Sequence, residues 1–350
     1  MTSSPPGPYA GIPLWRRPIA RRPGEVQFGV GEGGPIVTGV TADEARLLAR
    51  LDGSLPPDAL GAVAGAVGVS GRRWRVLLDL VARLGLLEPL PNVPALALTT
   101  AEAPAPIALT GRGIAGGAAR PTRAAPPGTA RRPGFGVLVE GPGSLSAGLA
   151  RLLGAEPGLV VRHGCSGDDD PSGSAGLTSL RALGTSPLPL PRLVVLVADI
   201  ALDPRRGDIW LAREVAHLPV VTTAGPSGGS AVVGPLVGPL VSAGSGAPCL
   251  WCLDLHRSDR DDAWPTVMAQ VAGLPGDPQP GAAAGLPHLV AGLVAALVAR
   301  CLDGDPPPPG VAVEVSLPWP RLDHRRWQAH PRCRQHALAG TPGTPNGRRT

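Results

Sequence analysis

The chain has 350 residues, a formal net charge of +5 and a pI near 9.5, and all 32 of its basic residues are arginine. That length allows two modest domains or one large one. The basic balance fits an arginine-rich cytoplasmic protein or one with an acidic partner such as an acidic peptide. Five cysteines do not suggest a disulfide framework in a chain of this size. No signal-like apolar run is read at the start, and the apolar stretch Leu286 to Leu302, which carries His288 and Arg300, is read as a buried helix rather than a membrane span.

Residues 1–25 read as an extended arm. EVQFGV (25–30) and GPIVTGV (34–40) read as a hairpin across a glycine-rich turn. Three helices are expected next. Thr41 and Glu44 form a capping box at the start of the first, which Gly53 closes. The second is PPDALGAVAGAVGV, with prolines at its start. Ser70 caps the third, where Trp74, Leu77, Leu78, Val81 and Leu84 recur at helical spacing. LLEPL then exits as a strand. Together, residues 1–88 are expected to form a small winged-helix-like α+β module that binds peptide. Its strand-edge candidates are Val26 to Val30 and Ile36 to Val40. Arg72, Arg73 and Arg75 either meet acidic side chains of that peptide or form a solvated helix face. DNA binding is not expected, because the apolar face of the third helix points inward.

Residues 89–133, rich in Pro, Ala and Arg, read as a linker, and 341–350 as a disordered tail. From 134 to 340 the pattern becomes α/β: a Rossmann-like, mostly parallel sheet with helices on both faces. Its strands are expected at 136–140, 159–164, 192–200 and 219–225, with a helix at LAREVAHL (211–218) and an edge hairpin at 231–240.

Four motifs in this domain carry chemistry. EGPGSLSAG places Gly141, Gly143 and Gly148 between a strand and a helix, where backbone N–H groups can face an anion or the turn is an ordinary one. The second strand ends in Arg162, His163 and Gly164, without the carboxylate that holds a ribose. Asp199, with Asp203 four residues on, ends the most apolar strand as a magnesium ligand or a helix cap. Cys249 and Cys252 as C-x-x-C, with Cys333 and His336 as C-x-x-H, fit a closed tetrahedral zinc site. Cys301 reads as core, and nothing marks Cys165 as a nucleophile. The charged run 255–264 either pairs with itself or points Arg257 or Arg260 at an anionic ligand.

The order of the strand–glycine turn–helix, Asp199 after VVLVA, LPVVTTAG, PCLWCLD and HPRC resembles the ThiF superfamily of adenylyltransferases, related to ubiquitin-activating enzymes. LWRRP, LLARLDG, LLDLVARLGLLE, LDLHRSDRDDAWP and RRWQAHPRC are similar to an actinobacterial branch of leader-peptide-binding or cyclodehydratase-related proteins of azole-modified peptide (TOMM) biosynthesis. The resemblance implies ATP and magnesium, activation of a C-terminal carboxylate as an acyl-adenylate, a structural zinc, a precursor peptide, a partner modifying enzyme and, by analogy, a homodimer. It assigns the phosphate turn to Gly141, Gly143 and Gly148, the magnesium to Asp199, and the zinc to Cys249, Cys252 and Cys333. Four departures imply degenerate adenylation: the altered glycine turn, the missing ribose carboxylate, the absence of lysine and the loss of the fourth cysteine, for which His336 must substitute.

Overall fold

The computed structural model describes residues 10–30, 34–53, 57–89, 135–156, 159–164, 190–223, 229–240, 247–272 and 285–339. Cys165, the polar insert 166–176, the tail and nearly all of the expected linker lie outside them.

Strand β1 (Ala10–Gly11) opens the described chain. Strands β2 (Pro18–Arg22), β3 (Glu25–Phe28) and β4 (Ile36–Thr38) form an antiparallel sheet in that order. Helices α1 (Ala42–Leu48), α2 (Pro57–Ala66) and α3 (Gly71–Arg83) follow, and β5 (Glu88–Pro89) returns to pair with β1. The expected hairpin is β3–β4, but part of the expected arm is a strand. Proline and two arginines hide β2 from a period-two reading. Its fixed points are the pairing with β3 and the burial of Ile19 against Val267, Met268 and Val271. This makes β3 the central strand, so Val26 to Phe28 are not an edge. Gly53 lies five residues beyond the end of α1 and does not close it.

The capping box holds as read: Thr41 Oγ1 accepts from the Glu44 N–H, and Glu44 accepts from the Thr41 N–H at 2.8 Å. Glu44 is also buried against Arg73, at 2.7 Å. The Arg73 hydrogen bond holds its carboxyl below the ordinary value of 4.5. A lowered native value gives stability that is present above about pH 4.5 and lost as the pH falls through the native value. Glu44→Ala is expected to cost about 1–3 kcal/mol at pH 7. Urea unfolding at pH 7 and pH 3 checks this, the gap between parent and variant shrinking at the lower pH.

The larger sheet comprises β6 (Phe135–Glu140), β7 (Leu159–Gly164), β8 (Leu193–Asp199), β9 (Ala216–Thr223), β10 (Ser230–Val233), β11 (Val311–Ser316) and β12 (Arg321–Arg326). Their order is β12-β11-β10-β9-β8-β6-β7. The pairings among β7, β6, β8 and β9 are parallel, and those from β9 out to β12 are antiparallel. The sheet is thus mixed, with β6, β7, β8, β9 and β11 running one way. Its helices are α4 (Gly143–Gly154), α5 (Asp208–Ala212), α6 (Leu250–Arg260), α7 (Trp264–Val271), α8 (Gly285–Leu302) and α9 (Arg334–Ala339). Helices α4 and α8 cover one face through Leu149, Leu153, Val290, Val294 and Val298. Helices α5 and α6 cover the other through Trp210, Leu250 and Leu253. Helix α8 is long and apolar enough to cross a membrane by length and composition. In this fold its buried positions, Leu286, Val290, Val294, Val298 and Cys301, recur every three or four residues against the sheet.

Two expected elements differ. LAREVAHL is not one helix: α5 ends at Ala212, Glu214 turns with a φ of 55°, and Ala216 to Leu218 join β9. Parallel pairing of Ala216 and Leu218 with the buried β8 overrides local helical preference. The stretch 231–240 is not an edge hairpin, because β10 lies between β9 and β11.

The amino-terminal sheet docks on α7. Gln270 Nε2 donates to the Ala20 carbonyl at 2.7 Å and its Oε1 accepts from the Ala20 N–H at 3.0 Å, which caps the outer side of β2. Arg21 pairs with Asp261 at 2.6 Å, and Arg22 with Asp262.

Candidate metal centre and glycine turn

Cys249 sits at the N-cap of α6 and Cys252 in its first turn, so a spacing of three brings both sulfurs to one side. Cys333 stands just before α9, and His336 lies in that helix's first turn. Trp327, buried and following β12, helps seat the returning segment in the core beneath α6. The ligand atoms of all four residues lie within 4.8 Å of one another. Cys249 Sγ is 3.8 Å from Cys252 Sγ, 3.5 Å from Cys333 Sγ and 4.0 Å from His336 Nδ1, while Cys252 Sγ is 3.3 Å from His336 Nδ1. A tetrahedron with metal–sulfur bonds of ~2.3 Å has edges of about 3.8 Å, so the donor set fits a single ion.

The surroundings orient these donors. His336 Nε2 lies 2.9 Å from the Ala247 carbonyl, which places the proton there and leaves the Nδ1 lone pair facing the sulfurs. The His330 backbone N–H donates to Cys252 Sγ at 3.2 Å. The Cys249 hydrogen bond, aided by this N–H, brings the Cys252 thiol down to about 5, while the same sulfur–sulfur hydrogen bond and burial push Cys249 up. His330, buried and 2.8 Å from Asp259, was not singled out in the sequence; its place three residues before Cys333 in HPRC is the signal that marks it.

At the glycine turn the three assigned glycines separate. Gly141 has a φ of 150°, and a Cβ there would stand 2.4 Å from the Val197 carbonyl oxygen. Gly143 has a φ of 83° and begins α4, 3.8 Å from Asp199 Oδ2 measured from the same hypothetical atom. Gly148 lies within α4 with open space around it, so no turn or close approach requires a glycine there. Gly141→Ala is expected to cost more than about 3 kcal/mol, from overpacking and backbone strain. Gly148→Ala is expected to be neutral or to stabilise by up to about 1 kcal/mol. Chemical denaturation of both variants checks the contrast.

Asp199 ends β8 beside this turn, at the point where the strand order reverses between β6 and β8. Its Oδ1 accepts from Thr222 Oγ1 at 2.6 Å. It is not the cap of the following segment: Asp203 holds that place, accepting from the Arg205 N–H at 2.9 Å. Arg205 in turn pairs with Asp203 at 2.6 Å. Arg206 is spent on the buried Glu140 at 2.9 Å and on the Val197 carbonyl at 3.2 Å, bracing the ends of β6 and β8. His163 meets Ser146 Oγ at 3.2 Å. Both arginines are thus engaged by carboxylates of the chain itself, and one of these, Glu140, lies beneath the turn.

No protein-family model matches the chain, and no curated protein matches it. Among solved structures it is similar to a heterocyclase in complex with substrate and cofactor, at 15% identity and a TM-score of 0.38, over 92% of this chain and 38% of that one. The heterocyclase TruD is similar at 16% identity and a TM-score of 0.40, over 94% and 42%. Escherichia coli MccB is similar at 11% identity and a TM-score of 0.40, over 97% and 99%. The chain thus spans about two fifths of the length of the two heterocyclase chains.

Proposed function

We propose that this chain binds an extended precursor leader peptide and presents it to a partner modifying enzyme, in the azole-type peptide biosynthesis that its sequence resembles. In this reading residues 1–88 are the winged-helix-like binding module. The α/β domain is a ThiF-like scaffold whose own adenylation is degenerate.

The observation that carries the reading is the outer edge of β4, which pairs with no further strand among the described residues. Alternation along the β3–β4 ladder turns the Val37 backbone toward β3, since Phe28 donates to Pro35 and Gly39 donates to Gly24. The Ile36 and Thr38 N–H and C=O groups then point away from the sheet. With β2 capped by Gln270, β4 is the side of this three-stranded sheet left for strand addition. Ile36 is 51% exposed there, and Val76, on the same face of α3 as Arg73, is 46% exposed. Arg73 is not available to the peptide as first read, because Glu44 and the Gly39 carbonyl hold it. Arg72 and Arg75 remain exposed for acidic side chains. Calorimetric titration of the full chain with precursor peptides tests the reading.

We also infer zinc at Cys249, Cys252, Cys333 and His336. Four protein ligands leave no position for a catalytic water, so the ion would fasten α9 to α6. Degenerate adenylation carries its own expectation: ATP–pyrophosphate exchange with a bound precursor stays at background. Exchange that disappears on Asp199→Ala would instead favour an active adenylyltransferase.

A further inference from the structure

A cleft between α6 and the sheet holds a cation that the described chain leaves without an acceptor. Leu202, Val221, Val232, Leu253, Asp254 and Arg257 line it. The Arg257 guanidinium lies over the Trp264 ring, 5.3 Å from its centre, and among the described residues it donates no hydrogen bond and forms no ion pair. The neighbouring carboxylates are engaged elsewhere. Asp254 accepts from Trp264 Nε1 at 2.7 Å, and Glu314 pairs with Arg325 at 2.8 Å. Two further cations stand close by: Arg260 and Arg325 sit 5.1 and 4.9 Å from the centre of the Trp327 ring. Burial lowers the Arg257 pKa, as do these like charges, while Asp254 acts in the opposite direction.

Arg257 is half-buried, its donors meet no acceptor among the described residues, and its planar fork matches a carboxylate in a bidentate pair. Apart from Asp254, which Trp264 engages, the remaining walls are apolar. We propose that this cleft binds a small monocarboxylate with a short branched aliphatic body. The carboxylate would sit on Arg257 and the hydrocarbon against Leu202, Val221, Val232 and Leu253. The site lies on α6 and the large sheet, remote in the chain from β4, and does not depend on the leader-peptide reading. The same chemistry is offered by a peptide's C-terminal residue and by a free branched-chain acid.

Saturation-transfer NMR on the full-length protein tests this with isovalerate, N-acetylvaline, isovaleramide and inorganic phosphate. Saturable binding is expected for the two acids and not for the amide. Stronger binding of N-acetylvaline would support a peptide terminus as the source, and stronger binding of isovalerate a free acid. Arg257→Gln is expected to weaken both by about tenfold or more, while Arg260→Gln stays near the parent. If Arg257→Gln does not fold, Arg257→Lys reads the same point, keeping the charge and losing the fork. Equal binding of acid and amide, unchanged affinity in the folded Arg257 variant, or phosphate binding more tightly than either acid would overturn the proposal.

Discussion

Cys252→Ser is expected to strip the metal from the protein and to lower its unfolding midpoint by about 8–16 °C. The magnitude follows from linkage: an ion at a thousand times its dissociation constant stabilises the state that binds it by ~4 kcal/mol. For a domain of this size each kcal/mol moves the midpoint by about 2–4 °C. Cys252 is the right place to cut because it is fully buried and its sulfur takes both the His330 N–H and the contact with His336. Serine offers a harder, shorter donor that neither reaches nor suits the ion. Elemental analysis should return one zinc per chain for the parent and far less for the variant. A chelator should shift the parent's melt as the mutation does. Acid should weaken the site, because the thiols must lose their protons to bind. A metal-free parent that melts at the same temperature with and without chelator would remove zinc from the description.

The grouping of three cysteines and His336 is legible in the sequence because its information is local. Two donors three residues apart share one helical turn, so C-x-x-C and C-x-x-H each specify half a tetrahedron before any tertiary contact is known. Other parts depended on distant partners. Gly141 and Gly148 look alike in the sequence, yet only the proximity of Val197 on a neighbouring strand makes one of them obligatory. Strand β2 carries no alternation of its own and is defined by β3 on one side and α7 on the other. Strand β12, RLDHRR, is largely exposed and charged, so nothing marks it as sheet until it pairs with β11. The sequence allows Asp199 to be either a metal ligand or a cap. Only the side chain of Asp203, already bonded to the next turn, closes the second possibility.

Thr38→Pro is expected to weaken peptide binding about thirtyfold while leaving the fold intact. The sign rests on strand alternation: the Thr38 N–H faces away from β3, so proline there removes a donor from the free edge and none from the ladder. The loss is one strand hydrogen bond at roughly 1 kcal/mol, with a similar amount for the ring's obstruction of its neighbour. About 2 kcal/mol is some thirtyfold against a parent affinity expected in the micromolar range, near −8 kcal/mol. Two controls isolate the cause. Thr38→Ala keeps the backbone donor and should bind as the parent does, whereas Val37→Pro breaks the β3–β4 ladder and should destabilise the module itself. Exposed Arg72 and Arg75 add a salt-sensitive part for acidic peptides, so the Thr38→Pro deficit should persist at high salt while that part fades. Calorimetry on parent and variants measures all of this. If Thr38→Pro binds a precursor as tightly as the parent does, strand addition at β4 is wrong even though the peptide binds; if the parent itself binds no precursor, the functional reading fails with it.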